Sequence, residues 1–232
     1  MLQYLVILLD DTSVSYCHYD NRKSEHRLIS LENLKAGILF AMKENLMLQF
    51  VYPHYELPQA YKDAIETIDH SKIVPVEYRD EADVVVFDDW EQLSVSGCDI
   101  QKTYVLRTGK TGFFKNYTIL NEVLDKVLRL NVVLVDIDTF TESDFDIYKS
   151  VLDELALKLK GMYLEGMAPQ LNLLTDRMML DKMNNCNAGV ENITLAPDGK
   201  FYICPAFYLA DDGYSIGSLV EVLDIKNPKL YK

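Results

Sequence analysis

The sequence predicts an α/β fold built on a parallel sheet, either open or partly closed into a barrel. Short apolar runs alternate along the chain with longer segments whose apolar residues recur at helical spacing. Residues 4–9, 84–87 and 132–135 are apolar throughout, which is typical of strands that are buried on both faces of a parallel sheet. Repeated strand–helix units of this kind favour parallel pairing, because a helix connects each strand to the next.

The predicted elements follow one another regularly through the first half of the chain. Ser30 is a predicted N-cap. The helix after it carries apolar residues at helical spacing, namely Leu31, Leu34, Ile38, Leu39 and Met42. A short strand over residues 48–52 precedes a second helix, which Pro58 opens. Further strands are predicted over residues 84–87 and 103–106.

The second half continues the same alternation. A helix is predicted over residues 116–130, a strand over 132–135, and another helix from Thr141 to about residue 160. Asp144 follows Thr141 after three residues, which is typical of a capping box. The apolar residues that we expect to face the core from this last helix are Phe145, Tyr148, Val151, Leu152 and Leu155.

Composition and charge exclude several classes of partner. The 232 residues include 23 basic and 36 acidic side chains, which gives a formal net charge of −13. Such a field repels nucleic acids and anionic membranes, so neither is a predicted partner, and it favours a basic peptide. The opening apolar run is too short for a signal peptide and ends at Asp10. Four cysteines, two of them at a metal-ligand-like spacing, favour a reducing compartment, so we expect a cytoplasmic protein.

Two cysteines flank a predicted β-hairpin near the end of the sequence. Pro-Asp-Gly over residues 197–199 is a turn sequence, because proline presets φ, aspartate caps its own backbone and glycine supplies a positive φ. Residues 193–195 and 201–203 on either side are rich in β-branched and aromatic residues, as hairpin strands are. Cys186 precedes the hairpin and Cys204 follows it. A hairpin can therefore bring two thiolates to one metal centre.

The spacing Cys-x12-Gly-x4-Cys, ending in Asp-Gly-x-x-Tyr-x-Cys, resembles the start of a SPASM domain. This module carries an auxiliary iron–sulfur cluster in many radical SAM enzymes that modify peptides. The resemblance implies that Cys186 and Cys204 are two cluster ligands. Clusters normally need four thiolates, so we expect the others beyond Lys232 of a truncated chain. A cluster-free relic and a plain hairpin with two buried thiols are the alternatives. The predicted domains are an α/β domain over residues 1–180 and the truncated module over 181–232.

The loop after the first strand resembles a degenerate form of the radical SAM cluster loop. That family has Cys-x3-Cys-x2-Cys there, whereas this chain has Asp10, Val14 and Cys17 at the corresponding positions. One thiolate cannot hold the cluster that cleaves S-adenosylmethionine, so we expect neither S-adenosylmethionine binding nor radical generation by this chain alone. Cys17 is equally well interpreted as an ordinary cysteine at the end of a strand.

Over its whole length the sequence resembles the CXXX repeat peptide maturase family. These SPASM-bearing proteins are associated with bacterial gene clusters for ribosomally made peptides that contain repeating Cys-x-x-x units. The resemblance rests on residues 8–19, on residues 169–178 and on the hairpin module. It implies a role in peptide maturation, binding or presenting a Cys-rich precursor peptide beside a competent radical SAM enzyme. It implies no particular reaction.

An alternative function rests on aspartates that directly follow apolar runs. They are Asp10, Asp11, Asp88, Asp89, Asp136 and Asp138. The carboxyl ends of parallel strands meet at one edge of a sheet, where carboxylates could bind Mg²⁺ in a phosphotransfer or hydrolase enzyme. Acidic residues at these positions also serve as solvated helix caps. A glycine–lysine pair at Gly109 imitates a phosphate-binding loop, but Tyr104 replaces its first glycine and no helix is predicted to open at Lys110.

Overall fold

The computed structural model describes residues 2–95, 97–178, 186–210 and 214–219. They form a mixed α/β fold in which most strands pair in parallel, as the sequence predicts. The strands are β1 (Tyr4–Leu8), β2 (Met47–Val51), β3 (His70–Pro75), β4 (Val84–Phe87), β5 (Thr103–Thr108), β6 (Arg129–Leu134), β7 (Gln170–Leu171), β8 (Asn192–Leu195), β9 (Lys200–Tyr202) and β10 (Gly217–Ser218). The helices are α1 (Leu31–Glu44), α2 (Gln59–Ile65), α3 (Trp90–Val95), α4 (Lys110–Asn116), α5 (Ile119–Leu124), α6 (Glu142–Leu164), α7 (Thr175–Met178) and α8 (Ala206–Leu209).

The chain forms two compact units. The first comprises residues 1–15, 19–77 and 184–232, and the second comprises residues 16–18 and 78–183. In the first unit the strands lie in the order β10-β9-β8-β1-β2-β3, with β8, β1, β2 and β3 parallel and β9 and β10 antiparallel. In the second unit the four strands lie in the order β4-β5-β6-β7, all parallel. No closed barrel is formed by the described strands.

The core of the first unit lies between its sheet and helix α1. Strand β1 runs between β2 and β8, and its Leu5 and Ile7 are fully buried, as the continuous apolar run predicts. Leu34 and Ile38 of α1 pack in the same cluster as Leu195 of β8. This packing fixes β8, and the hairpin that continues from it, to the first strand of the chain.

Helix α1 begins and ends as local chemistry dictates. The Ser30 hydroxyl accepts a hydrogen bond from the Asn33 backbone N–H at 3.1 Å, which confirms the predicted N-cap. Asn45 ends the helix in the left-handed conformation at φ 53°, a position that asparagine tolerates better than most residues. The buried face of α1 is narrower than the apolar stripe that the sequence predicts, because Leu39 and Met42 are more than half exposed.

In the second unit, the helix predicted over residues 116–130 is wrong in extent. Helices α4 and α5 divide this part of the chain, and α5 ends at Leu124 because β6 begins at Arg129 and pairs with β5. The predicted capping box is confirmed, since Thr141 and Asp144 exchange hydrogen bonds at the start of α6. Phe145 was expected in the core, but its side chain is 48% exposed.

Membrane insertion finds no support in the helices that the structure describes. Among residues 2–95, 97–178, 186–210 and 214–219, no helix combines the length and the apolarity that crossing a bilayer requires.

Candidate functional site

The predicted hairpin is present, and its turn forms as the sequence indicates. Strands β8 and β9 pair antiparallel, with Thr194 opposite Tyr202. The Asp198 carboxylate accepts a hydrogen bond from the Lys200 backbone N–H at 3.1 Å. Gly199 has a φ of +78°, a conformation that L side chains rarely adopt, so glycine is required at this position.

The two cysteines that flank the hairpin lie within electrostatic reach of each other. Cys186 is exposed, Cys204 is partly buried, and neither forms a disulfide. The pKa of the Cys204 thiol is raised first by burial and further by the negative charge of the Cys186 thiolate. The backbone N–H groups of Phe207 and Ala206 act in the opposite direction, because they stabilise the Cys204 thiolate. A metal that binds here must therefore displace the Cys204 proton.

Two thiolates match half of an iron–sulfur site. Among the described residues, no group of three or more His, Cys, Asp or Glu side chains is arranged to hold a metal ion. A cluster at Cys186 and Cys204 therefore needs two further ligands, and their role as ligands stays a prediction. Parts of the predicted module, residues 181–185, 211–213 and 220–232, lie outside the described residues.

Cys17, in the degenerate cluster loop, belongs to the second unit. Its backbone carbonyl accepts a hydrogen bond from Arg107 Nη1 at 2.7 Å. The positions that carry the other two thiolates in the radical SAM motif are occupied by Asp10 and Val14. One thiolate does not fit a cluster that needs three, and the absence of radical chemistry at this loop stays a prediction.

Asp10 is fully buried at the end of β1, and both of its carboxylate oxygens have partners. One oxygen accepts hydrogen bonds from the backbone N–H and the hydroxyl of Thr12, at 2.8 and 2.7 Å. The other accepts from the Tyr55 hydroxyl at 2.8 Å and lies 3.1 Å from His26 Nδ1. Burial, followed by the bond to Asp10, raises the pKa of Tyr55. Asp10 thus anchors the loop that follows β1.

Asp11 is also buried, and it joins this loop to the residues that follow the hairpin. Its carboxylate accepts a hydrogen bond from the Tyr208 hydroxyl at 2.5 Å. Burial raises the pKa of Asp11, and the bond from Tyr208 opposes that rise by stabilising the carboxylate. The pKa of Tyr208 is raised as well, first by burial and then by its bond to Asp11.

The strand-end aspartates of the second unit have local partners. Asp88 forms an ion pair with Arg107 at 3.4 Å, and Asp89 accepts a hydrogen bond from the Glu91 backbone N–H at 2.7 Å. Asp136 accepts from the Lys110 backbone N–H at 2.9 and 3.1 Å, and Asp138 is exposed. The predicted grouping of Asp10, Asp11, Asp88, Asp136 and Asp138 into a magnesium site stays a prediction.

A helix does begin at Lys110, contrary to the sequence-based expectation. Gly109 is the N-cap of α4, and the carboxylate of Asp136 accepts a hydrogen bond from the first backbone N–H of the helix. A side-chain carboxylate has thus taken the place that a phosphate has in a phosphate-binding loop. Tyr104, where that motif needs glycine, is buried in β5.

The first unit contains a cavity of about 370 Å³ next to the carboxyl end of β1. Its wall combines basic, acidic and aromatic side chains from the loop after β1 and from the hairpin region. They are Arg22, Lys23, Arg27, Asp11, Glu25, Asp198, Tyr202, Phe207 and Tyr208. The ammonium group of Lys23 lies 4.7 Å from the ring centroid of Tyr208. Sequence reasoning missed this cavity, although three basic residues within six positions of an acidic chain were the available signal.

Comparisons with known proteins indicate the fold. No family model matches the chain, and no curated protein does. Streptococcus suis SuiB bound to its precursor peptide SuiA is 12% identical with a TM-score of 0.56, over 99% of this chain and 66% of SuiB. SuiB bound to S-adenosylmethionine gives the same identity and TM-score, over 99% and 67%. BtrN in complex with AdoMet and 2-DOIA is 10% identical with a TM-score of 0.35, over 100% and 85%.

The chain therefore shares with SuiB a mixed α/β fold with a mostly parallel sheet, which is the fold class that the sequence predicts. It spans about two thirds of the length of SuiB. At this identity the likeness shows the fold alone, so membership of the CXXX repeat peptide maturase family stays a prediction.

Proposed function

We propose that this chain binds and presents a Cys-rich precursor peptide during the maturation of a ribosomally made peptide. The observation that carries the proposal is the similarity of fold to SuiB over 99% of the chain, since SuiB is a protein seen bound to a precursor peptide. The three sequence stretches that resemble CXXX repeat peptide maturases support the same function. In the reducing cytoplasm, the substrate's thiols would stay available for modification.

The reactive step belongs, in this proposal, to a separate radical SAM enzyme. The loop after β1 offers one thiolate at Cys17, and S-adenosylmethionine cleavage needs a cluster held by three. Presentation of the peptide is therefore the role that the residues of this chain can perform. The α/β domain over residues 1–180 and the module over residues 181–232 would divide this work between peptide binding and an auxiliary cluster.

Cys186 and Cys204 would supply two ligands of that auxiliary cluster, with the other two coming from residues after Lys232. When bound, the cluster would serve as an electron-transfer or substrate-anchoring centre. The proximity of the two sulfurs supports this assignment, because one thiolate perturbs the pKa of the other. Deprotonation of both thiols is the chain's own contribution to assembly.

Peptide binding is the first test. Fluorescence anisotropy with a labelled peptide of four Cys-x-x-x repeats should show saturable binding to the protein under reducing conditions. A peptide with every cysteine replaced by serine is the matched control and should bind more weakly. Equal binding of both peptides, or of neither, refutes the proposal.

Cluster assembly is the second test. A chain extended past Lys232 should turn brown on anaerobic reconstitution with iron and sulfide. The Cys186→Ala, Cys204→Ala double variant should stay colourless, while Cys98→Ala, which removes a cysteine outside the hairpin region, should behave as the wild type does. Equal colour in all three proteins contradicts the assignment of these ligands.

A further inference from the structure

The cavity of the first unit brings three basic residues together beside three acidic ones, Asp11, Glu25 and Asp198, within a strongly acidic protein. The whole chain has a formal net charge of −13, yet Arg22, Lys23 and Arg27 all line this one cavity of about 370 Å³. Salt screens the charges of distant side chains beyond about 8 Å at physiological ionic strength. A ligand in the cavity therefore experiences mainly the nearby groups, and the sign of the whole-chain charge does not decide what binds.

Two of the acidic residues in the cavity wall already use their oxygens for internal hydrogen bonds. Asp11 accepts from the Tyr208 hydroxyl at 2.5 Å. One oxygen of Asp198 accepts from the Lys200 backbone N–H at 3.1 Å, and the other accepts from the Tyr202 hydroxyl at 2.8 Å. These hydrogen bonds hold the wall together, and the charge of Asp11 also interacts with Arg27 and Lys23.

The two guanidinium groups of the wall, by contrast, keep their donors available. Within the part of the chain that the structure describes, neither Arg22 nor Arg27 forms a side-chain hydrogen bond or an ion pair. Both residues are exposed, so each fork can turn toward the cavity without breaking a hydrogen bond. A guanidinium presents a rigid set of donors that matches a carboxylate or a phosphate in a bidentate arrangement.

Aromatic rings form the rest of the wall and suit a peptide better than a bare anion. The rings of Tyr202 and Tyr208 are tilted against each other with their centroids 5.3 Å apart, and Phe207 lies in the same wall. Rings of this kind provide apolar surface for side-chain methylenes and for peptide groups. Inorganic phosphate has no apolar group that could pack against such a surface.

We infer that this cavity binds the carboxylate side chains of an acidic peptide segment, through Arg22 and Arg27. The inference rests on the proposed function in one respect, namely that the peptide concerned is the precursor peptide. It also reverses the expectation from net charge, which favours a basic peptide. The recognised part of the precursor is therefore an Asp- or Glu-rich stretch, separate from the Cys-x-x-x repeats.

The test uses fluorescein-labelled hexaglutamate and hexaglutamine peptides with the 232-residue chain. Wild-type protein should bind hexaglutamate more tightly than hexaglutamine. The Arg22→Gln, Arg27→Gln double variant should lose about tenfold or more in affinity for hexaglutamate, because it removes both guanidinium groups that pair with the carboxylates. The Lys35→Gln, Lys43→Gln double variant removes the same charge from exposed positions of α1 and should retain wild-type affinity.

The alternative outcomes separate the sources of binding. Equal losses in the two double variants show non-specific attraction and overturn the inference. Binding of inorganic phosphate at Arg22 and Arg27 without binding of hexaglutamate identifies a site for a free anion, which overturns it as well. Wild-type binding of a Cys-x-x-x peptide that bears an acidic segment, unchanged in the Arg22→Gln, Arg27→Gln variant, refutes this cavity but leaves the proposed function standing. Hexaglutamate binding without binding of any Cys-x-x-x peptide supports this cavity as a binding site and refutes the proposed function.

Discussion

Replacing Gly37 with alanine tests the packing that fixes the hairpin to the first strand. Gly37 lies in the buried face of α1, and a Cβ atom there would be 2.4 Å from Leu195 Cδ2 and 3.3 Å from Ile7 Cδ1. Leu195 and Ile7 are both fully buried, so neither side chain can move aside without disturbing the core. The substitution therefore forces α1 and β8 apart.

The size of the effect follows from two opposing contributions. Alanine gains about 1 kcal/mol over glycine in the interior of a helix. Overpacking of a close-packed core costs about 2 kcal/mol, within the usual range for one added methyl group. We therefore expect Gly37→Ala to lower the free energy of unfolding by about 1 kcal/mol, which is the difference between the two.

Gly161→Ala is the matched control. Gly161 lies inside α6, and a Cβ atom there would meet nothing within 4 Å. Only the helix-propensity gain applies, so this variant should be more stable than the wild type by about 1 kcal/mol. The two Gly→Ala substitutions should therefore differ in sign.

Urea unfolding followed by far-UV circular dichroism measures both variants. The fluorescence of Trp90, the sole tryptophan, reports on the second unit, in which Gly161 lies. Leu195→Val removes the clashing methyl group, so its cost should be smaller in the Gly37→Ala background than in the wild type. Stabilisation of Gly37→Ala to the same extent as Gly161→Ala would refute the close contact between α1 and β8.

Three further predictions concern individual carboxylates. Tyr208→Phe should cost about 2 kcal/mol in urea unfolding at neutral pH, because it removes a hydrogen bond from the buried Asp11 carboxylate; an equal cost in an Asp11→Asn background contradicts this. The pKa of Asp144 is lowered to about 2, mainly by its hydrogen bond from Lys110. The ionised Asp144 carboxylate therefore stabilises the folded protein fully above its unfolded pKa of 3.8, and this stabilisation is lost as pH falls toward 2. Thermal melts should therefore show an Asp144→Asn deficit that disappears over this interval, and a deficit that persists at the acidic end refutes it. Asp136→Ala should lower the free energy of unfolding by about 1 kcal/mol, because it removes the hydrogen-bond acceptor at the start of α4, and Asp136→Asn should lower it less. A Mg²⁺-dependent rise in the wild-type melting temperature that Asp136→Ala abolishes would favour the magnesium site instead.

Local signals in the sequence were sufficient for the hairpin and for the helix caps. The Pro-Asp-Gly turn, the Ser30 cap and the Thr141 capping box each depend on a few neighbouring residues, so their chemistry can be read without knowing the fold. Strand β3 gave no such signal, because it begins with the polar residues His70, Ser71 and Lys72. His70 nevertheless packs edge-on against Phe50 in the sheet, with ring centroids 5.3 Å apart, which only the pairing of β2 and β3 makes evident.

The candidate site was harder to predict because its parts are far apart in the sequence. Asp11 meets Tyr208 only after β8 has paired with β1. The same pairing brings Arg27 near Tyr202, whose pKa is raised by burial and by Asp198, a rise that the charge of Arg27 partly offsets. The role of Asp136 was open for the same reason, since a carboxylate after a strand can bind a metal or cap a helix. Its partner, the N–H of Lys110, became identifiable only once α4 was seen to begin there.

The hairpin is common to the proposed cluster site and to the cavity, and this decides which variants can separate the two functions. Cys186 and Cys204 flank the hairpin, while its Asp198 and Tyr202 form part of the cavity wall. A substitution at Asp198 removes hydrogen bonds that hold the turn, so it disturbs thiol geometry and cavity together. Arg22 lies in the loop after β1, and its side chain makes no hydrogen bond to the hairpin within the described residues. The arginine variants can therefore remove peptide binding and leave cluster assembly intact, and the cysteine variants can do the opposite.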